Sequence, residues 1–153
     1  MKFKVIKYLV ILFLLISCRD NNTKSKEISK YEELKLKMLS TYKEDNYTET
    51  LKHINQLLQI DTADGDIFFI KGRCEAELNN FNQSTKSYLK AAQLNYRKLD
   101  ATFNIGVISM LNCDSLAEIY FKKCLAIDPD YEPAKVQLNG IREHPSKYYS
   151  NCK

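Results

Sequence analysis

The chain has 153 residues, with four glycines, three prolines, five cysteines and no tryptophan. That length holds one hydrophobic core and is too short for two ordinary domains. The formal charge of +4 falls to about +1 once Lys2, Lys4 and Lys7 are set aside, and a near-neutral chain with mixed charges argues against a nucleic-acid binder.

Residues 1–17 read as a leader. Lys2, Lys4 and Lys7 form a basic start, and Leu9 to Ile16 is an unbroken apolar run. The run has the length of a signal-peptide core and falls short of the roughly 20 residues a spanning helix needs. Leu15-Ile16-Ser17-Cys18 resembles the bacterial lipoprotein signal box. That resemblance implies cleavage before Cys18, lipid on its thiol, and anchoring in the inner or outer membrane of a bacterial envelope. Two or three acyl chains hold a protein stably where one is marginal. Residues 18–29 are the lipidated cysteine and a polar, aperiodic tether, which would keep the fold within about 40 Å of the bilayer.

From Lys30 the apolar spacing turns helical: Tyr31, Leu34, Met38, Leu39 and Tyr42 recur at steps of three and four. A second helix follows over Leu51–Ile60. The next pair covers Asp66–Leu78 and Phe81–Leu94, and a third covers Leu99–Leu111 and Asp114–Ile127. Asp128-Pro129 stops that last helix, since proline lacks an amide hydrogen and disfavours a helical residue before it. A seventh helix runs from Glu132 to Ile141, with Pro133 in its first turn where proline is tolerated. The domain is therefore bounded at 30–142, and 143–153 form a tail without helical pattern.

The segments repeat. Asn46-Tyr47, Asn80-Phe81 and Cys113-Asp114 open three of them at intervals of 34 and 33 residues, and Ile60-Asp61, Leu94-Asn95 and Ile127-Asp128 close them at the same intervals. A fixed period in this range marks stacked repeats, each burying its apolar face against the next.

The residues at these positions resemble the tetratricopeptide repeat (TPR), a helical hairpin of helices A and B. Thr50, Ser84 and Ala117 match the small position of helix B that faces a helix A glycine, supplied by Gly72 and Gly106 and replaced by Met38 in the first copy. Ile54, Tyr88 and Phe121 match its large apolar position, and Leu57, Ala91 and Cys124 the next inward one. The resemblance implies an all-α solenoid of about three helix pairs with a capping helix, and a protein or peptide partner in a groove lined by helix A. The matching groove positions are Lys35, Phe69, Arg73, Phe103, Asn104 and Val107. Phe69 and Phe103 stand open between groove and packing. The family's two-carboxylate clamp of Lys and Asn is not reproduced.

The same fold implies that the tail emerges beside the third A–B turn, which makes Cys113 and Cys152 a candidate disulfide in an oxidising envelope. Cys74 and Cys124 read as small core residues. No catalytic constellation stands out: His53 sits on a helix edge and His144 at the exit of the last helix. No cofactor, metal or small-molecule substrate is indicated. The expected role is a non-enzymatic, lipid-anchored adaptor or scaffold; the alternative is an accessory subunit packed permanently into an envelope assembly.

Overall fold

The computed structural model describes residues 26–112 and 115–144. Seven helices and no strand lie among them: α1 (26–43), α2 (Tyr47–Leu57), α3 (Gly65–Glu77), α4 (Phe81–Gln93), α5 (Lys98–Leu111), α6 (Leu116–Ile127) and α7 (Glu132–Glu143). They form the expected all-α solenoid of hairpins, α1–α2, α3–α4 and α5–α6, with α7 stacked on the last. Some boundaries move. Helix α1 is already formed at residue 26, so 26–29 are helical. Helix α2 stops at Leu57, where the sequence pattern runs on to Ile60, because a turn closes there with Ile60 and Asp61 both donating to the Leu57 carbonyl at 2.9 Å.

The tight turns explain how hairpins form with so few glycines. Asp45, Asn79 and Asn95 adopt left-handed backbone, with φ of 55°, 59° and 57°. Each follows a helix end, and the next residue's N–H reaches back five residues: Asn46 to Thr41, Asn80 to Glu75 and Tyr96 to Ala91, at 2.8–3.0 Å. This is the Schellman closure, in which an αL residue lets the chain satisfy the last helical carbonyls. Asn and Asp tolerate that region better than other residues with a Cβ. Asn46 then caps α2 by accepting from the Glu49 N–H at 3.3 Å, and Asp64 caps α3 by accepting from Asp66 at 2.9 Å.

Packing inside each hairpin turns on a small-against-large match. A Cβ on Gly72 would stand 3.0 Å from the Tyr88 ring, and one on Gly106 would stand 2.6 Å from the Phe121 ring. The glycines therefore face the large helix B residue, one turn beyond the small one expected there. The small residue does a different job: the Ser84 hydroxyl donates to the Gly72 carbonyl at 2.6 Å. In the first hairpin Met38 replaces the glycine and Ile54 replaces the ring; both are fully buried in one cluster.

No hairpin closes its own core. One cluster joins Met38, Ile54 and Leu57 to Ile67, Ile70 and Cys74 of α3. The second joins Phe69, Tyr88 and Ala91 to Ala101, Ile105 and Ile108 of α5. The third joins Ala117, Phe121 and Cys124 to Ala134, Leu138 and Ile141 of α7. Helix α7 thus packs as a fourth helix A. Cys74 and Cys124 are buried free thiols, as their positions suggested; burial pushes them up to about 12 and about 11, which keeps them protonated and unreactive.

Candidate protein-binding cleft

A cleft of about 400 Å³ runs along α3 and α5. Its floor is a repeated aromatic joint. Phe69 meets the Tyr88 ring edge-on at 5.3 Å and Tyr96 at 6.0 Å. One repeat later Phe103 meets Phe121 at 5.5 Å and Tyr131 at 5.6 Å. Each phenylalanine therefore binds its own helix B to the loop that opens the next repeat. Phe69 is only 7 % exposed, so its main work is packing, although both rings also line the cleft.

The same loops carry a polar joint. The Tyr96 hydroxyl donates to Asp66 at 2.9 Å, and the Tyr131 hydroxyl donates to Asp100 at 3.4 Å. Arg97 sits with φ of 40°, its guanidinium 4.6 Å from the Phe69 ring centre and its Nε donating to Asp100 at 2.8 Å. This arginine is occupied twice over, by a cation–π contact and an ion pair. Arg73 is different. It is exposed, lies 5.8 Å from the Tyr42 ring centre, and pairs with no described carboxylate. Buried Tyr88 is pushed upward in pKa by burial; the charge of Arg73 and a hydrogen bond from Asn104 pull the other way.

Five of the six groove positions read from the sequence line this one cleft: Phe69, Arg73, Phe103, Asn104 and Val107. Lys35 does not. It sits at the junction of α1 and α3, donating to Asp64 at 2.9 Å and standing 3.5 Å from Asp66. Tyr31 also donates its hydroxyl to Asp64. Burial alone would raise Asp64, but the Tyr31 and Lys35 hydrogen bonds hold it below the ordinary carboxylate range. Lys35 is likewise opposed by burial and raised by its two aspartates. Its amine is thus spent on holding repeats together.

The sequence reading missed Arg97, Asp100, Leu111 and Tyr131 in the cleft wall. A signal was there: Asp66 and Asp100 are 34 residues apart, and Tyr96 and Tyr131 follow them at 30 and 31. Cys18, Cys113 and Cys152 lie outside the described residues. Of the histidines, His144 follows α7, and His53 has a buried Nδ1 without a hydrogen-bond partner and its Nε2 3.9 Å from Glu49. Among the described residues no group of three His, Cys, Asp or Glu side chains is placed to hold a metal, and no helix is long and apolar enough to cross a membrane.

No family model and no curated protein sequence matches the chain. Solved structures do. The TPR domain of P58(IPK) superposes with a TM-score of 0.70 over 75 % of this chain at 15 % identity; the match spans only 32 % of that longer chain. The Arabidopsis OM64 TPR domain superposes with a TM-score of 0.65 over 77 % of this chain and 98 % of its own, at 19 % identity. Agreement of backbone at such low identity is agreement of fold, reached through the glycine-against-ring packing and cross-repeat cores described above: the chain has the fold of a tetratricopeptide-repeat domain.

Proposed function

We propose that this protein is a non-catalytic adaptor that holds an extended segment of a protein partner in the α3–α5 cleft. The observation that carries the reading is the unpaired Arg73 beside an apolar strip. Val107 and Leu111 form one wall, and Leu111 is 60 % exposed. A segment with an aliphatic side chain for that strip and a carboxylate for Arg73 fits; the rings beneath are already packed, so binding would order little of the protein. A bidentate guanidinium–carboxylate contact adds direction as well as energy.

The test must leave the floor alone, because truncating Phe69 would remove a packed core residue. The double variant Arg73→Glu/Leu111→Glu changes only exposed side chains. A photocrosslinker at position 107 in the full chain is expected to give a discrete protein adduct in native cells, lost in the double variant while helical circular dichroism is unchanged. Adducts formed only from outward positions such as Gln56 would replace this reading with that of a subunit packed through its outer side.

We further infer a lipid-anchored location in a bacterial envelope, supported by the basic-then-apolar leader and by Leu15-Ile16-Ser17-Cys18. Intact mass of the native protein should show a chain beginning at Cys18 with two or three acyl groups. In Cys18→Ala those groups should be absent and the protein should leave the membrane fraction.

A further inference from the structure

We propose that the outward faces of α4 and α6 form a lipid-contact surface that lies against an anionic bilayer. Helix α4 carries Lys86 and Lys90 and no acidic residue; indeed no carboxylate side chain occurs between Glu77 and Asp100. Helix α6 carries Lys122 and Lys123 against a single acid, Glu118, which pairs with Lys122 at 2.7 Å. Lys86, Lys90 and Lys123 make no ion pair with a described residue; Lys90 lies 6.0 Å from the Phe68 ring centre and Lys123 4.4 Å from that of Tyr120. Exposed aliphatics are set among these lysines: Leu89 on α4, and Leu116, Ile119 and Ile127 on α6. Lys86 of α4 and Leu116 and Tyr120 of α6 line one cleft, with Ile108 and Ser109 of α5 between them, so these parts of the two helices open to the same side. None of these lysines lines the α3–α5 cleft.

The chemistry selects the partner. Lysines on flexible stems beside leucine and isoleucine suit a headgroup layer, where the amines meet lipid phosphates and the aliphatics enter the acyl boundary. A single-stranded nucleic acid would call for exposed rings on which bases stack; the rings here, Phe81 and Tyr120, are half-buried, and the exposed apolar residues are aliphatic. The face is also local. Helix α2 cancels its charge, with Lys52 bonded to Glu49 at 2.6 Å. The net charge of +3 on α4 and α6 gives a weak, salt-sensitive attraction near an anionic surface, enough to orient a protein held at the membrane by the anchor inferred above, on which this proposal rests, so that its cleft stays in water.

The test is lysine footprinting of the full chain, reconstituted into phosphatidylcholine vesicles and into vesicles with a third of that lipid replaced by phosphatidylglycerol. The N-terminus is the same in both, so the comparison isolates the face. Amine acylation read by mass spectrometry should slow about threefold at Lys86, Lys90, Lys122 and Lys123 in the anionic vesicles. Lys37 and Lys98 should label equally in both, and high salt should abolish the difference. In Lys86→Glu/Lys123→Glu, with helical circular dichroism intact, the protection of Lys90 and Lys122 should be lost. Equal rates in the two lipids, or equal slowing at Lys37 and Lys98, would overturn the proposal. So would protection by single-stranded nucleic acid with none from anionic vesicles.

Discussion

At Gly106 two opposing effects can be weighed. Alanine is a better helix former than glycine by about 1 kcal/mol in a helix interior, so propensity alone favours Gly106→Ala. The new Cβ, however, would stand 2.6 Å from Cε1 of Phe121, a ring with no exposed surface. Displacing a packed ring typically costs 1–3 kcal/mol, and at 2.6 Å the contact is close enough to put the cost at the upper end, so the clash wins and Gly106→Ala should lower stability by up to about 2 kcal/mol in urea unfolding. Adding Phe121→Leu should recover part of the loss, whereas Gly106→Ala without any effect would remove the ring-against-glycine account. This pairing was half legible in the sequence. The glycine and the large helix B residue stand out by spacing, but Ala117 and Phe121 share one helical face, and only the hairpin's depth of approach says which of them meets the glycine. Met38 with Ile54 obeys the same volume rule and for that reason looked like a departure from the pattern.

Between elements, polar joints set how one repeat sits on the next. The Tyr96 hydroxyl bridges to Asp66 from the loop before α5, and Tyr96→Phe should cost about 1 kcal/mol, the usual net worth of such a bond, with little change in circular dichroism. The α1–α3 joint is ionic and should report on pH. Asp64 has a lowered pKa in the fold, so the unfolded chain binds its proton more readily. Its contribution is therefore complete above the ordinary carboxylate value, near pH 4, and is lost as pH falls below it through the folded value. Lys35 is raised, so its share is present at neutral pH and disappears only in strong base. Lys35→Met should lower stability at pH 7 and flatten the loss as pH falls below the ordinary carboxylate value; an acid limb as steep as in the wild type would refute the joint. Helix existence and order were readable from apolar spacing alone, yet Lys35 was assigned to a groove. Position within a repeat told where its Cα sits, and nothing in that position disclosed the two aspartates that approach from the start of α3.

Across the whole molecule the ends differ from the middle in an instructive way. Ile67 and Cys74 of α3, Ala101, Ile105 and Ile108 of α5, and Ala134, Leu138 and Ile141 of α7 are buried against the preceding hairpin. The matching residues of α1 are Glu33, Lys37 and Ser40, all exposed, with Glu33 and Lys37 paired at 2.6 Å. That face of α1 is built for water. At the other end, α7 carries Asn139 where α3 and α5 have glycine, and Val136, at the position of Phe69 and Phe103, is 60 % exposed. A ring could not approach Asn139 as Tyr88 approaches Gly72, and among the described residues α7 buries its apolar side against the preceding hairpin. Stability in such a stack is a sum of local terms and nearest-neighbour interfaces. Leu138→Ala removes a buried side chain from the α6–α7 interface at a typical cost of 2–5 kcal/mol. Its effect should be graded along the chain: amide exchange should accelerate most in α7 and α6, less in α5, and least in α2. A uniform acceleration from α2 to α7 would mean one indivisible core, and the account of clusters that each join one hairpin to the next would fail with it.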